Sequence, residues 1–295
     1  MEYRNIFLAN PARLSVQREQ LVIEQAEKIT VPLEDISSVL IESPQVTLIA
    51  YAAAAMANHG ITVFLCDEKH LPSGQILPIN QFCRQRKLLL SQCEMGKPLQ
   101  KQLVGRKIKN QAQCLRLMGK EEWQELQQMA GKVLSNDSDN REAVAAALYF
   151  PALFGNGFFR GSDDSRNAAL NYGYAVMRAG IARNLVVHGL EPCIGLHHRS
   201  ELNNFNLADD LIEPFRPVVD LYVTQNFSKD DDVLTPRQKA GLFNLTNYLV
   251  KQAGRRYRVM LSIDRVCTAL ANSVTAGENL LELPELIPLE LHQYE

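Results

Sequence analysis

Short apolar runs, separated by polar residues, fill the beginning of the chain. Such runs, rich in β-branched residues and bounded by polar ones, are typical of β-strands. They predict strands over residues 4–8, 13–16, 20–23, 28–32, 39–42 and 62–65. An alanine-rich stretch over 47–58 predicts one helix, which should end at His59-Gly60 because glycine commonly terminates helices. We therefore expect a small β-rich N-terminal domain with one helix.

The pattern changes after a stretch that contains several helix-breaking residues. Residues 71–79 include Pro72, Gly74 and Pro78, which predict a linker or a hairpin loop. From residue 82 onward, apolar residues recur every three or four positions, which is the helical period. The predicted helices cover 82–93, 97–118, 121–134, 141–150, 168–188, 209–212 and 235–257. Pro284 and Pro288 then predict an extended arm.

These elements predict an α+β fold in which strands and helices are segregated along the chain. We expect an N-terminal β-domain over 1–72, a linker over 73–80, a larger all-α domain over 81–283 and a C-terminal arm over 284–295.

Composition excludes several classes of protein. Of the 295 residues, 46% are hydrophobic and 22% are charged, which is the balance of a globular protein with a core. No apolar run approaches the roughly 20 residues that a membrane-spanning helix needs. The six cysteines are scattered without a C-x-x-C pair, which argues against a disulfide scaffold or a structural zinc site. We therefore expect a cytoplasmic protein.

Positive charge is concentrated in two segments, although the net charge is only -2. Residues 84–116 contain nine cations and one acid, and residues 237–258 contain six cations and no acid. Because an ordinary exposed helix interleaves Glu with Lys, these segments favour contact with DNA phosphates. The candidate DNA-binding residues are Arg84, Arg86, Lys87, Lys101, Arg106, Lys107, Lys109, Arg237, Lys239, Lys251, Arg255, Arg256 and Arg258. A solvated helix face is the alternative interpretation.

A group of carboxylates follows two adjacent histidines. Asp209, Asp210 and Glu213 come shortly after His197-His198, and on a helix Asp210 and Glu213 share a face. Carboxylates with one imidazole suit Mg²⁺ or Mn²⁺. In the alternative interpretation, Asp209 and Asp210 begin a helix and Glu213 is a solvated acid of its first turn.

Two further residues are candidates with strong structural alternatives. Glu142 lies near the start of an alanine-rich helix, and Asp139 three positions earlier makes a capping box the favoured interpretation from spacing alone. Tyr172 could stack near a substrate, but core packing explains it as well. The chain has no phosphate loop of the G-x-x-x-x-G-K-[ST] type, so nothing indicates use of ATP.

Several blocks together resemble the CRISPR-associated integrase family of spacer acquisition. Residues 31–36 and 60–64 are similar to the family's β-domain, and 141–143 and 170–175 to its helical catalytic domain. The most specific block is Asp210-Leu211-Ile212-Glu213-Pro214-Phe215-Arg216-Pro217. The form of this block resembles the variant from systems with a single large effector nuclease. The resemblance covers nearly the whole chain.

The resemblance implies a catalytic metal site of one Glu, one His and one further acid. Carried over by position, the ligands of Mg²⁺ or Mn²⁺ are Glu142, His198 and Glu213, with Asp210 as a supporting acid. The His197-His198 doublet leaves the register open. We select His198 because it precedes Arg199, as in the family variant.

The reaction that the resemblance implies is DNA strand transfer, in which 3′-hydroxyl ends of a short duplex attack phosphodiesters at the edges of a CRISPR repeat. The implied assembly is a homodimer formed partly by the β-domains, with two dimers bridged by a small ferredoxin-like partner in a prokaryotic cytoplasm. No membrane and no nucleotide cofactor are implied. The alternatives are a metal-dependent nuclease that hydrolyses DNA ends or branches, and a non-enzymatic DNA-binding scaffold.

Overall fold

The structure is a computed structural model, which describes residues 4–67, 72–76, 78, 86–94, 97–134, 140–229 and 234–292. The described residues up to 78 form one unit that is rich in strands. Those from 86 onward form a second unit that is mostly helical. The predicted α+β class is therefore confirmed.

Two four-stranded sheets make up the N-terminal unit. Its strands are β1 (Arg4–Leu8), β2 (Arg13–Gln17), β3 (Gln20–Glu24), β4 (Lys28–Pro32), β5 (Ile36–Ile41), β6 (Thr47–Leu48), β7 (Thr62–Cys66) and β8 (Pro72–Ile76). One sheet has the order β4-β3-β2-β6 and the other β1-β5-β7-β8. Arg18 and Glu19, both with positive φ, form the tight turn that joins β2 to β3.

The core of this unit brings together both sheets and the helix α1 (Ala50–Asn58). Leu14 and Val39 are fully buried from the strands, and Ala52 and Met56 are fully buried from α1. The apolar runs that predicted the strands thus supply this core: β2 alternates between buried and more exposed residues, whereas three successive residues of β3 are buried.

Nine α-helices, one short 3-10 helix (Asn244–Asn247) and one hairpin account for the regular structure of the second unit, in the part of it that the structure describes. The helices are α2 (Arg86–Glu94), α3 (Lys97–Leu117), α4 (Trp123–Ala130), α5 (Arg141–Phe154), α6 (Ser165–Val187), α7 (Asn206–Leu211), α8 (Arg216–Asn226), α9 (Pro236–Phe243) and α10 (Val259–Ala276). The hairpin pairs β9 (Leu249–Gln252) with β10 (Arg255–Arg258). Within the described residues, no helix is both long and apolar enough to cross a membrane.

The structure differs from the sequence expectation in three places. Residues 72–76, which belong mostly to the predicted linker, form β8 and pair with β7. The predicted helix over 235–257 ends at residue 243, and the hairpin that follows means that this unit is not all-α. The segment after Pro284, expected as an extended arm separate from the helical domain, belongs to the second unit and lies along β9, where Lys251 and Glu285 exchange backbone hydrogen bonds of 3.0 and 2.6 Å.

Close contacts at glycines position α6 in the middle of this unit. A Cβ on Gly173 would collide with Val219 on α8, and one on Gly180 would lie 3.0 Å from the Met260 side chain on α10. The backbone of α6 therefore approaches both neighbouring helices more closely than any larger residue would allow.

Candidate active site

Two acidic side chains from separate elements contact the same lysine. Glu142 lies in the first turn of α5, Glu213 lies between α7 and α8, and Lys107 belongs to α3. The Lys107 Nζ is 2.6 Å from Glu142 Oε1 and also contacts Glu213 Oε2. Lys107 follows the buried residues Leu103 and Val104 by four and three positions, so the helical period places it on the buried face of α3.

Glu213 is the more buried of the two acids. Its side chain is 8% exposed, against 27% for Glu142. Its Oε1 accepts a hydrogen bond of 2.9 Å from Arg216 Nε. Burial opposes ionisation of Glu213, but Lys107 and Arg216 outweigh it and lower its pKa to about 2. Burial also disfavours the Lys107 ammonium, yet the two carboxylates raise its pKa above the ordinary value.

Asp210 holds the segment that carries the histidines. Its Oδ1 is 2.7 Å from His198 Nδ1, and its two oxygens accept the backbone N–H groups of Leu196, His197 and His198. The bond from Asp210 outweighs burial and raises the pKa of His198, and the charge of Glu213 contributes to the same shift. Because Asp210 engages Nδ1, the Nε2 atom is the ring nitrogen that can bind a ligand or accept a proton.

Asn206 secures the same segment from α7. Its amide nitrogen donates to the carbonyls of Cys193 and Ser200, at 3.0 and 2.8 Å. Gly195 lies so close to Asp210 that a Cβ would be 2.9 Å from its Oδ2. The backbone around His198 is therefore fixed by two buried polar side chains and by a position where only glycine fits.

The two adjacent histidines have different partners. The Nδ1 of His197 is 2.7 Å from Gln100 Nε2 on α3, whereas His198 is bonded to the acid Asp210. The geometry thus associates His198, rather than His197, with the acidic block.

A buried carboxylate lies next to this group. Asp220 on α8 accepts hydrogen bonds from Tyr149 on α5, at 2.9 Å, and from Tyr174 on α6. Arg216 stacks on the Tyr174 ring, with its guanidinium carbon 4.6 Å from the ring centroid. Burial, only partly offset by the two hydroxyls, raises the pKa of Asp220 to about 6. The network connects α5, α6 and α8 and holds Arg216 in place.

The residue types suit a divalent ion, although an ammonium now bridges the carboxylates. Among the residues described, no three His, Cys, Asp or Glu side chains are grouped as metal ligands. Two carboxylates, Glu142 and Glu213, are directed at one cation, and carboxylate oxygens are donors that Mg²⁺ and Mn²⁺ accept. The two carboxylates therefore fit such an ion. In this structure, the ammonium group of Lys107 lies between Glu142 and Glu213 instead.

Comparison with known proteins identifies the family. The model of the family "CRISPR associated protein Cas1" matches residues 6–233. The chain belongs to the Cas1 family. It is 43% identical to the CRISPR-associated endonuclease Cas1 of Neisseria meningitidis serogroup C (strain 8013), and the match covers 100% of both chains. It is 30% identical over 233 residues to the CRISPR-associated endonuclease Cas1 1 of Pyrobaculum aerophilum, which covers 71% of this chain and 77% of the relative.

Solved structures share the Cas1 fold at lower sequence identity. The Cas1 protein of Thermotoga maritima has a TM-score of 0.76 at 15% identity, covering 94% of this chain and 99% of the other. A casposase bound to an integration product has a TM-score of 0.73 at 19% identity, covering 95% and 92%. At these identities the likeness concerns the fold.

For this Cas1 family member, the structure sorts the candidate DNA-binding residues by exposure. Arg84 lies outside the described residues, as do the side chains of Arg86 and Lys87. The exposed candidates are Lys101, Lys109, Arg237, Lys251, Arg255 and Arg256, and Arg106 and Arg258 are half-buried. Lys107 and Lys239 are buried, so the prediction that they belong to a cationic surface is corrected.

Two other sequence interpretations concern residues near the start of α5 and on α6. Tyr172 is fully buried, which favours the core interpretation over stacking on a substrate. Asp139, the predicted capping residue, lies outside the described residues, and the residue before α5 is Asn140, whose side chain makes no capping bond. The capping box of Asp139 and Glu142 thus stays a prediction, and within the described residues Glu142 contacts Lys107.

Sequence reasoning did not identify three residues of the group. Arg216 stands in the acidic block without a role of its own, and the charge pattern assigns Lys107 to a cationic surface. Asp220 falls at the end of the run of acids that begins at Asp209, but the sequence does not indicate its tyrosine partners. The sequence does contain a signal that Lys107 is buried, because Lys107 shares a helix face with the apolar positions 103, 104 and 108.

Proposed function

We propose that this chain is a divalent-metal-dependent DNA integrase and endonuclease that inserts new spacers into a CRISPR repeat array. The observation that carries the proposal is the meeting of Glu142 and Glu213 at one cation. The His198 imidazole, which Asp210 orients, is affected by the charge of Glu213. Membership of the Cas1 family supports it.

In the proposed reaction, the 3′-hydroxyl oxygen of an incoming duplex attacks a phosphodiester at the edge of the repeat. One P–O bond forms while another breaks, and the leaving 3′-oxygen takes up a proton, so no nucleotide is consumed. A bound Mg²⁺ or Mn²⁺ would supply positive charge to the phosphate and to the attacking and leaving oxygens. Glu142 and Glu213 hold this ion, and His198 acts at Nε2 either as a third ligand or as the acceptor of the hydroxyl proton.

The exposed cations would bind backbone phosphates without reading bases, which suits the insertion of fragments of arbitrary sequence. Structures of similar fold include a Cas6-RT-Cas1–Cas2 complex, with a TM-score of 0.72 at 18% identity over 97% of this chain and 36% of that one. We propose a comparable assembly here, with two homodimers bridged by a small ferredoxin-like partner in the prokaryotic cytoplasm.

The test is integration in vitro on a supercoiled plasmid that carries a repeat array, with a labelled duplex and the small partner, in Mn²⁺ and in chelator. Joined half-site products that require Mn²⁺ are expected. Shortened fragments without joining would indicate a hydrolytic nuclease, which the names of the relatives make the second candidate. DNA binding without any reaction would indicate a scaffold.

Variants of the acids and histidines locate the reaction. Glu142→Gln, Glu213→Gln and His198→Ala should lower joining by at least about 100-fold, because loss of even an outer-shell partner costs roughly 10–100-fold. Duplex affinity, measured by fluorescence anisotropy, should stay within about twofold. His197→Ala and the exposed Glu201→Gln are the controls. Full joining by any of the three variants would remove that residue from the site.

A further inference from the structure

The Lys107 ammonium lies between the two carboxylates that would bind a metal ion in the proposed function, on which this inference rests. Its Nζ is 2.6 Å from Glu142 Oε1 and also contacts Glu213 Oε2. A Mg²⁺ ion bound by both carboxylates would lie about 2.1 Å from each ligand oxygen. Because Nζ contacts the same two oxygens directly, the ammonium and the ion cannot be there together.

The formal charges of the group already cancel before any metal arrives. Lys107 and Arg216 are paired with Glu142 and Glu213. The Lys107 and Glu213 side chains are only 11% and 8% exposed, so water screens them weakly. A divalent ion added to this neutral group would leave two positive charges in excess, and such charges repel strongly where the dielectric constant is low.

Of the two cations, Lys107 is the one that can move. Arg216 is fixed by its bond to Glu213 and by stacking on Tyr174. Lys107 has a flexible four-carbon stem and a compact charge with three donors, so it can take another acceptor without rearrangement of α3. A DNA phosphate at the site is an acceptor of the required charge.

We infer that Lys107 is an internal counter-ion that keeps the metal site closed until DNA phosphate is present. Without DNA, the ammonium competes with the metal for Glu142 and Glu213. A phosphodiester brings negative charge that accepts the ammonium and balances the incoming ion. Metal and DNA therefore bind with positive coupling, and each tightens the other by the same factor.

The experiment measures Mn²⁺ binding to the full chain by electron paramagnetic resonance, at constant ionic strength. The DNA is a duplex with 3′-dideoxy ends, so that no joining occurs, and Mn²⁺ bound by DNA alone is subtracted. The Glu213→Gln variant defines which bound Mn²⁺ belongs to this site. For the wild type, we expect affinity to rise by at least about tenfold when DNA is added, the size of a typical allosteric coupling.

Lys107→Met removes the charge and keeps the chain length. It should bind Mn²⁺ at least about tenfold more tightly than the wild type without DNA, and DNA should add little. Lys107→Arg keeps a cation between the acids and should bind Mn²⁺ without DNA no more tightly than the wild type. Lys120→Met removes an exposed lysine just after α3 and should behave as the wild type does.

Failure of the inference can be told apart from failure of the proposed function. If Mn²⁺ binding depends on Glu213 but Lys107→Met, with an intact circular dichroism spectrum, does not tighten it, the inference is overturned and the metal site stands. If Lys107→Met does not fold, the wild-type measurement still tests the inference. The inference is overturned if DNA does not change the Mn²⁺ affinity of the wild type. If Glu213→Gln binds Mn²⁺ as the wild type does, with and without DNA, the metal site itself is disproved.

Discussion

Asp210 holds His198 by its ring and by its backbone, with Oδ1 2.7 Å from Nδ1 and 3.2 Å from the backbone nitrogen. The bond to Asp210 is the largest cause of the raised pKa of His198. Asp210→Asn should therefore lower the pKa of His198 and reduce strand joining by roughly 10–100-fold, as for other residues that orient a ligand.

The measurement is a nuclear magnetic resonance titration of the His198 ring protons, beside the joining assay. Asp209→Asn is the control, because the charge of Asp209 raises the pKa of His198 less than the charges of Asp210 and Glu213 do. A His198 titration that is unchanged in Asp210→Asn would mean that the ring does not depend on this bond.

Glu213 should matter more to stability than Glu142. Glu213→Gln leaves the mostly buried Lys107 and Arg216 without a carboxylate between them, which costs about 3–5 kcal/mol. Glu142 is more exposed, so water screens its charge more, and Glu142→Gln should cost less. Urea unfolding at pH 7 measures both. Equal decreases in the free energy of unfolding would contradict the prediction that Glu213 contributes more to stability than Glu142 does.

The pH dependence of this contribution has a definite sign. Because the folded-state pKa of Glu213 is lowered to about 2, its stabilisation is fully present above its unfolded value of 4.5 and is lost as the pH falls toward 2. The stability difference between the wild type and Glu213→Gln should therefore shrink between about pH 5 and pH 2.

Asp220 should show the opposite behaviour. Its pKa is raised from 3.8 to about 6, so ionisation of this buried carboxyl destabilises the fold as the pH rises through that interval. Asp220→Asn removes the ionisation and keeps groups that can bond Tyr149 and Tyr174. Relative to the wild type, this variant should be more stable at pH 8 than at pH 5 by roughly 1–3 kcal/mol. A difference that does not vary with pH would contradict the raised pKa.

Acids of the C-terminal segment lie against cations of both basic segments. Glu285 pairs with Arg106 at 3.4 Å and with Lys251 at 3.8 Å, and Glu290 pairs with Arg256 at 2.7 Å. Replacing both acids by Gln should release these cations for phosphate. We expect duplex affinity to increase and log affinity to fall more steeply with log salt, by about one for each cation released.

Anisotropy between roughly 50 and 200 mM salt tests this expectation. The exposed Glu201→Gln, whose formal charge change is half that of the double variant, serves as the control. A salt dependence as flat as that of a neutral protein would argue against a phosphate role for the two segments.

Gly173 is expected to be intolerant of a side chain. Gly173→Ala forces a Cβ into Val219 and should cost about 1–3 kcal/mol, the usual cost of overpacking. Gly105→Ala is the matched control inside a helix, because the nearest atom to its Cβ would be 3.6 Å away. It should be neutral or stabilise the fold by up to about 1 kcal/mol. Thermal unfolding compares the two.

The sequence pattern predicted secondary structure well where burial of apolar residues determines it. Strands of the first unit bury short apolar runs bounded by polar residues, as β3 and β7 do, and such runs are visible in the chain. The hairpin after residue 247 was predicted as a helix because its turn does not use the common Asn-Gly pair. Instead Ala253 adopts a φ of 50°, which alanine seldom does, ahead of Gly254.

Pattern alone could not assemble the candidate site. Glu142, His198 and Glu213 come from three separate segments. The contact of Glu142 and Glu213 with the same lysine depends on tertiary packing that has no local signature. Family resemblance selected them, not spacing. Lys107 could have been placed by helical periodicity, but its acidic partners could not, since the contact with Glu142 joins residues 35 positions apart.

The glycine contacts of α6 limit how this protein can respond to its substrates. With Gly173 against Val219 and Gly180 near the Met260 side chain, α6 packs closely on α8 and α10, which disfavours sliding or rotation of α6 between them. Apo and loaded backbones of the helical unit should then superimpose, leaving adjustment to individual rotamers. Crystals grown in chelator should accordingly tolerate soaking in manganese without cracking.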